Sequence, residues 1–140
     1  MNILVDANRI IAALMKSSTT RDILFDNAFD FVTPDYAISE INDHRRELQE
    51  KAKLTDEEFD ILVALIFECI TVLPESVYAR FIDECKNELE DVDDIPYLAA
   101  CLASGADGIW SHDPHIIKQN KVKTFTNIDM LELSRSVKSG

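Results

Sequence analysis

Short apolar runs alternate with longer stretches of helical spacing along the whole chain. Ile3-Leu4-Val5 is apolar and rich in β-branched residues, and it reads as a strand buried on both faces. Helical spacing follows at once, through Ile10, Ile11, Leu14 and Met15. Ser17-Ser18-Thr19-Thr20 is a turn that supplies an N-cap for a helix through Ile23, Leu24 and Ala28. Phe29-Asp30-Phe31-Val32 reads as the second strand. Thr33-Pro34 is expected to open the next helix, with Pro34 at its first position. Tyr36, Ala37, Ile41 and His44 share one face of that helix, and Glu40, in its second turn, lies on a neighbouring face.

Thr55-Asp56-Glu57-Glu58 is a capping box, and it starts a helix through Phe59, Leu62, Val63 and Ile66. Ile70-Thr71-Val72-Leu73 is the third strand. Residues 77 to 89 are weakly amphipathic, with Phe81 and Ile82 as core candidates. Glu90-Asp91-Val92-Asp93-Asp94 is a burst of carboxylates that runs straight into an apolar helix. Asp93-Asp94 suits an N-cap, Pro96 the first turn, and Leu98, Cys101 and Leu102 form one buried stripe. Gly105-Ala106-Asp107-Gly108 is a turn before a fourth strand, Ile109-Trp110-Ser111. Pro114 opens a short helical turn towards Ile116 and Ile117. Residues 121 to 126 read as a fifth strand, and Asn127-Ile128-Asp129 starts a last helix through Met130, Leu131 and Leu133. Residues 1–133 thus form a single domain, and 134–140 a polar, frayed tail. Strands alternating with helices call for an α/β fold with a mostly parallel sheet covered on both faces.

Composition narrows the class. The chain has 140 residues, 46% of them hydrophobic, which suits one compact domain with a substantial core. No apolar run approaches the roughly 20 residues of a membrane span. The amino-terminal residues lack the basic and long apolar regions of a secretory signal. Cys69, Cys85 and Cys101 are odd in number and lie within apolar or helical patterns, so reduced core thiols are expected. A cytoplasmic protein with no membrane partner is the default. The formal net charge of −12 argues against a protein that coats nucleic acid through a basic surface. Three glycines leave neither a dinucleotide fingerprint nor a P-loop.

The acids themselves are the candidate chemistry. Asp6 follows the first strand, Asp113 follows the fourth, and Asp94 stands at the mouth of a core helix. Ligand sites of open α/β sheets lie at the carboxyl ends of the strands, so these three face one edge. Glu40 joins them if its helix leaves the neighbouring strand on that side. Acids crowded together out of water need a partner, and a hard divalent cation with oxygen ligands is the usual one. Mg2+ or Mn2+ fits this donor set, and no His or Cys cluster suggests zinc. Such an ion can polarise a phosphodiester and activate water, with the remaining carboxylates orienting that water. Asn8, Ser111 and Thr126 could support the ligands or the substrate, as could Asp91 and Asp93. His44-Arg45-Arg46, with Lys51 and Lys53, is the densest basic cluster. Such a run is commonly solvated helix charge; read as a phosphate-contacting surface, it makes Arg45 and Arg46 the candidate contacts.

Four stretches carry a resemblance. Val5-Asp6-Ala7-Asn8, Ser39-Glu40, Asp91-Val92-Asp93-Asp94-Ile95-Pro96-Tyr97-Leu98-Ala99-Ala100 and Ile109-Trp110-Ser111-His112-Asp113 stand in the order and spacing of the acidic motifs of PIN-domain ribonucleases. The chain resembles the small prokaryotic members, which include toxins of toxin–antitoxin pairs. The resemblance implies a three-layer α/β/α sandwich with a five-stranded parallel sheet. It also implies Mg2+ or Mn2+, hydrolysis of single-stranded RNA, and a homodimer. Asp6, Glu40, Asp94 and Asp113 are the catalytic acids it implies, with Asp6, Asp94 and Asp113 on the metal. An antitoxin protein is a further implied partner, and a toxin and a stand-alone nuclease both stay open. One alternative is a catalytically silent PIN-like binding or scaffold domain. Another is a phosphate hydrolase with Asp6 as nucleophile, but Asp6-Ala7-Asn8 lacks the second aspartate that chemistry usually has.

Overall fold

The computed structural model describes residues 1–15 and 18–139. Five strands, β1 (Asn2–Val5), β2 (Asp30–Pro34), β3 (Ile70–Leu73), β4 (Gly108–Trp110) and β5 (Thr124–Phe125), form one sheet in the order β3-β2-β1-β4-β5. Every pairing is parallel. Among the described residues nine α-helices connect them and a tenth follows β5: α1 (Ala7–Met15), α2 (Thr19–Leu24), α3 (Tyr36–Asp43), α4 (Arg45–Ala52), α5 (Asp56–Phe67), α6 (Glu75–Tyr78), α7 (Ile82–Cys85), α8 (Ile95–Ser104), α9 (Pro114–Lys118) and α10 (Asn127–Ser139). From β1 the chain steps to β2 and β3 on one side, then returns to β4 and β5 on the other. Right-handed crossovers put the two sets of helices on opposite faces of the sheet. α1 packs against α2, α3, α4 and α5, whereas α8 packs against β1, β2, β4, α6 and α7. The result is the expected α/β/α sandwich. No helix among the described residues is long and apolar enough to cross a membrane.

Ile3, Leu4 and Val5 are fully buried because β1 is the central strand, covered on both faces. α8 lies over the sheet centre. Its small residues Ala99 and Ala100 are buried there, and Gly105 ends it in the left-handed region, at φ 67°. The sheet reverses its winding between β1 and β4, so a crevice opens at the carboxyl ends of those two strands.

Several elements differ from the sequence pattern. The turn assigned to 17–20 lies partly outside the described residues; Ser18 is the extended N-cap of α2. That helix stops at Leu24 rather than reaching Ala28, because the Asp26 carboxylate accepts the Ala28 N–H at 2.9 Å and closes a turn. Pro34 ends β2 instead of opening a helix. It pairs with Leu73, and the Asp35 N–H next to it makes the ladder bond to Leu73 O at 2.9 Å. A break at His44, with φ −105° and ψ 9°, separates α3 from α4. Residues 77 to 89 fold as short segments, with Tyr78, Cys85 and Leu89 in the core; Phe81 and Ile82 are only half-buried. β5 is reduced to Thr124–Phe125, since Gln119 Oε1 takes the N–H groups of Lys121 and Val122 at 2.8 and 3.0 Å. The helix expected to end near Leu133 continues to Ser139, with Ser134 buried and bonded to Asp26. Gly140 lies outside the described residues.

Candidate active site

Asp6 is the one residue between β1 and α1, and it is almost fully buried. Its Oδ1 accepts the Arg9 N–H at 2.9 Å, which caps the first turn of α1. Its Oδ2 accepts a short hydrogen bond from the Ser111 hydroxyl. Ser111, fully buried after β4, accepts in turn from the Asp113 N–H at 3.0 Å. One serine therefore ties the ends of the two central strands together. Burial pushes the Asp6 carboxyl up to about 6, against the hydrogen bonds from Ser111 and Arg9.

Asp94 closes the same crevice from above. Asp91 starts a tight 3-10 turn over Val92–Asp94 by accepting the Asp93 N–H at 2.9 Å. That turn delivers Asp94 to the N-terminus of α8, where a cap would be expected. Asp94 makes no side-chain capping bond, and among the described residues its buried Oδ2 has no hydrogen-bond partner. Burial first, then the charges of Asp113 and Asp91, push its carboxyl up to about 7. Asp113 does cap its helix: its Oδ1 accepts the His115 N–H at 2.8 Å.

A second row of acids adjoins the first. Glu40, half-buried on α3, accepts a short hydrogen bond from the Tyr97 hydroxyl. Tyr36 donates to Asp93 Oδ1 at 2.6 Å, and the two tyrosine rings stand 6.1 Å apart. Burial raises the Glu40 carboxyl; the Tyr97 bond opposes this, and Asp93 and Asp91 add to it. The buried Tyr97 hydroxyl is pushed far above its usual range by burial, and then by Glu40, with Asp6 adding to the effect. Tyr97 is thus the wall between the two rows.

Other candidates stand apart. Thr126 is occupied as a cap, donating its N–H and hydroxyl to Asp129 Oδ2 at 2.9 and 3.1 Å. Asn8 is exposed on the first turn of α1. Arg45 is engaged within the protein: Nη1 lies 2.6 Å from Asp60, Nε donates to Gln49, and the guanidinium covers the Phe59 ring at 4.7 Å. Arg46 is exposed. The break at His44 places both arginines on α4, a separate helix from that of Glu40.

Among the described residues, no three His, Cys, Asp or Glu side chains are gathered as a ready metal cage. Mg2+ does not need one, since it takes one or two carboxylates and keeps several waters. The buried, partnerless Oδ2 of Asp94, beside the buried carboxylate of Asp6, fits that demand.

The sequence profile of the PIN domain matches residues 4–132 of the 140-residue chain. The chain belongs to the PIN domain family. PIN domains are generally nucleases and generally depend on divalent metal ions. No curated protein matches the chain. In this PIN domain, Arg9, Tyr36 and Tyr97 were missing from the candidate residues read off the sequence. Arg9 had one signal, its place three residues after Asp6. Tyr97 had only its place three residues after Asp94 in the third acidic motif, where an aromatic beside a buried stripe reads as core.

Proposed function

We propose that the chain is a Mg2+- or Mn2+-dependent endoribonuclease that hydrolyses single-stranded RNA. The observation that carries this reading is Asp94, whose buried Oδ2 lacks any partner while Asp6 and Asp113 stand beside it. A carboxylate so placed costs stability unless a cation meets it. Asp6 and Asp94 would hold the ion, and Asp113 would support it. When bound, the ion supplies polarisation of the phosphodiester and an acidified water.

The chain's own residues do the rest. Ser111 fixes the Asp6 carboxylate in orientation through its hydroxyl. Tyr97 holds Glu40 by Oε1, which leaves Oε2 to take a proton from the attacking water. The raised affinity of Glu40 for protons suits that role. Asp91 and Asp93 order the turn that presents Asp94.

A homodimer, an antitoxin partner and a cytoplasmic setting belong to the same proposal. Ile61 and Leu65, 54% and 47% exposed one turn apart on α5, support a protein partner. The test is a panel of single-stranded RNA, double-stranded RNA and a phosphomonoester, incubated with EDTA, Mg2+ or Mn2+. Metal-dependent cleavage confined to single-stranded RNA, and lost in Asp94→Asn, is expected. Folded protein that cleaves nothing leaves the silent scaffold as the function.

A further inference from the structure

Arg9 lies on the first turn of α1, and its backbone N–H is taken by Asp6. Its side chain is half-buried and poorly engaged. Nη1 reaches the Thr20 hydroxyl only at 3.4 Å, and among the described residues the buried Nε has no partner. Among the described residues no carboxylate stands within 4 Å of the guanidinium, in a chain with 26 acidic residues. A half-buried cation held by one long hydrogen bond, with the Asp6 charge nearby but not bonded to it, is costly to the fold. A guanidinium is also the group whose planar fork matches a phosphate.

The surroundings hold this fork in place and leave it open. The Thr20 hydroxyl that Arg9 reaches also accepts from Asn127 Nδ2 at 3.1 Å. Asn127 is fixed in turn by the Trp110 indole N–H, 2.8 Å from its Oδ1. The Asn127 N–H donates to His112 Nε2 at 3.0 Å, so the imidazole carries its proton on Nδ1. His112 and Asn127 wall a shallow groove of about 350 Å³ with Ile117 and Ile128. Arg9 thus lies between the carboxylates and that groove.

We propose that Arg9 is the phosphate clamp of the site, its guanidinium binding an RNA phosphate next to the one that is cleaved. This deepens the ribonuclease reading and rests on it. It explains how a chain of net charge −12 admits a polyanion: one desolvated cation acts locally where the global field repels.

The test is anisotropy of a labelled single-stranded oligoribonucleotide with metal-free protein over a salt series, for parent, Arg9→Gln and Arg9→Lys, with thermal melts of each. Arg9→Gln is expected to weaken binding about tenfold and to lower the log–log salt slope by about 0.7, the value of one phosphate on a single strand. Its melting temperature should not fall, since no bonded partner except Thr20 is lost. Arg9→Lys should keep the slope yet lose affinity, because a point charge lacks the fork. Parental affinity and slope in folded Arg9→Gln would overturn the clamp and leave the nuclease reading untouched. If Arg9→Gln does not fold, parental affinity in Arg9→Lys overturns the bidentate clamp. A metal-free parent that binds no RNA overturns the clamp, while the nuclease reading stands or falls by the cleavage panel.

Discussion

Asp26 and Asp94 are both aspartates drawn out of water, and the fold treats them in opposite ways. Asp26 accepts from the Ala28 N–H and the Ser134 hydroxyl, and Lys138 stands 3.2 Å away. Burial alone would raise its pKa, but these partners together hold it below the usual carboxylate range. Asp94 faces the like charges of Asp113, Asp91 and Asp6, can bond to Asp113 only when one of the two carries a proton, and keeps an Oδ2 with no partner among the described residues. A carboxylate that serves the fold is saturated with donors. One that serves a ligand keeps its capacity, at the expense of the empty protein.

The largest way to break this contrast is in the chemistry. Asp94→Asn should cut metal-dependent RNA cleavage by about 100-fold, while Asp26→Asn leaves the rate at the parent's value; initial rates with Mn2+ decide. Stability should invert the order. Asp26→Ala strands Ser134 and Lys138 and should cost about 2 kcal/mol in urea melts. Asp94→Asn in metal-free protein should cost nothing or stabilise, and a loss equal to that of Asp26→Ala would erase the distinction.

Acidity separates the two groups again. Burial pushes the Asp6 carboxyl up to about 6, and burial with the charges of Asp113 and Asp91 pushes that of Asp94 up to about 7, against 3.8 for a free aspartate. Over that interval the folded protein holds more protons than the unfolded chain. The stability of metal-free protein should therefore fall as pH rises from 3.8 to about 7. Asp26 has the opposite sign: its contribution is present above 3.8 and lost as pH falls through its lowered pKa. Melts in EDTA along a pH series should show Asp94→Asn flattening the decline towards neutrality and Asp26→Asn flattening the loss in acid. A parental profile in Asp94→Asn would place the extra proton elsewhere.

The smallest effects concern cations. Arg45 is engaged like Asp26, so Arg45→Ala should lower the melting temperature. Arg46 is exposed, and Arg46→Ala should reduce the RNA salt slope by no more than about 0.7. A larger slope change for Arg45 would mean that RNA displaces Asp60.

The parallel sheet was legible because Ile3-Leu4-Val5 and Ile109-Trp110 are apolar runs ending at Asp6 and Ser111, and their burial follows from composition alone. The capping box at Thr55 was equally plain, and both of its bonds are present. Pro34 was misread because the same residue that suits a helix start also tolerates a strand end, and the choice fell to pairing with Leu73. The break at His44 had no local mark, since no Gly or Pro stands there. The Glu40–Tyr97 bond joins residues 57 positions apart, and the Arg9 contact with Thr20 is completed by Asn127, 107 positions from Thr20. No periodicity reports such pairs; only the packed sheet brings them together.

The link between Asp6 and Ser111 spans 105 positions, and it has a consequence for the birth of the molecule. During synthesis β1 keeps one edge unpaired until β4, which follows it by the length of that span, has been made. A loop of that length closes late. Until Trp110 and Ser111 have been made, Asp6 has no serine to orient it and no floor to be buried on. A nascent chain of this kind lacks the assembled acidic site. Ribosome-bound chains halted before residue 108 should accordingly be protease-sensitive and without cleavage of added RNA, with both properties changing only once β4 has cleared the tunnel.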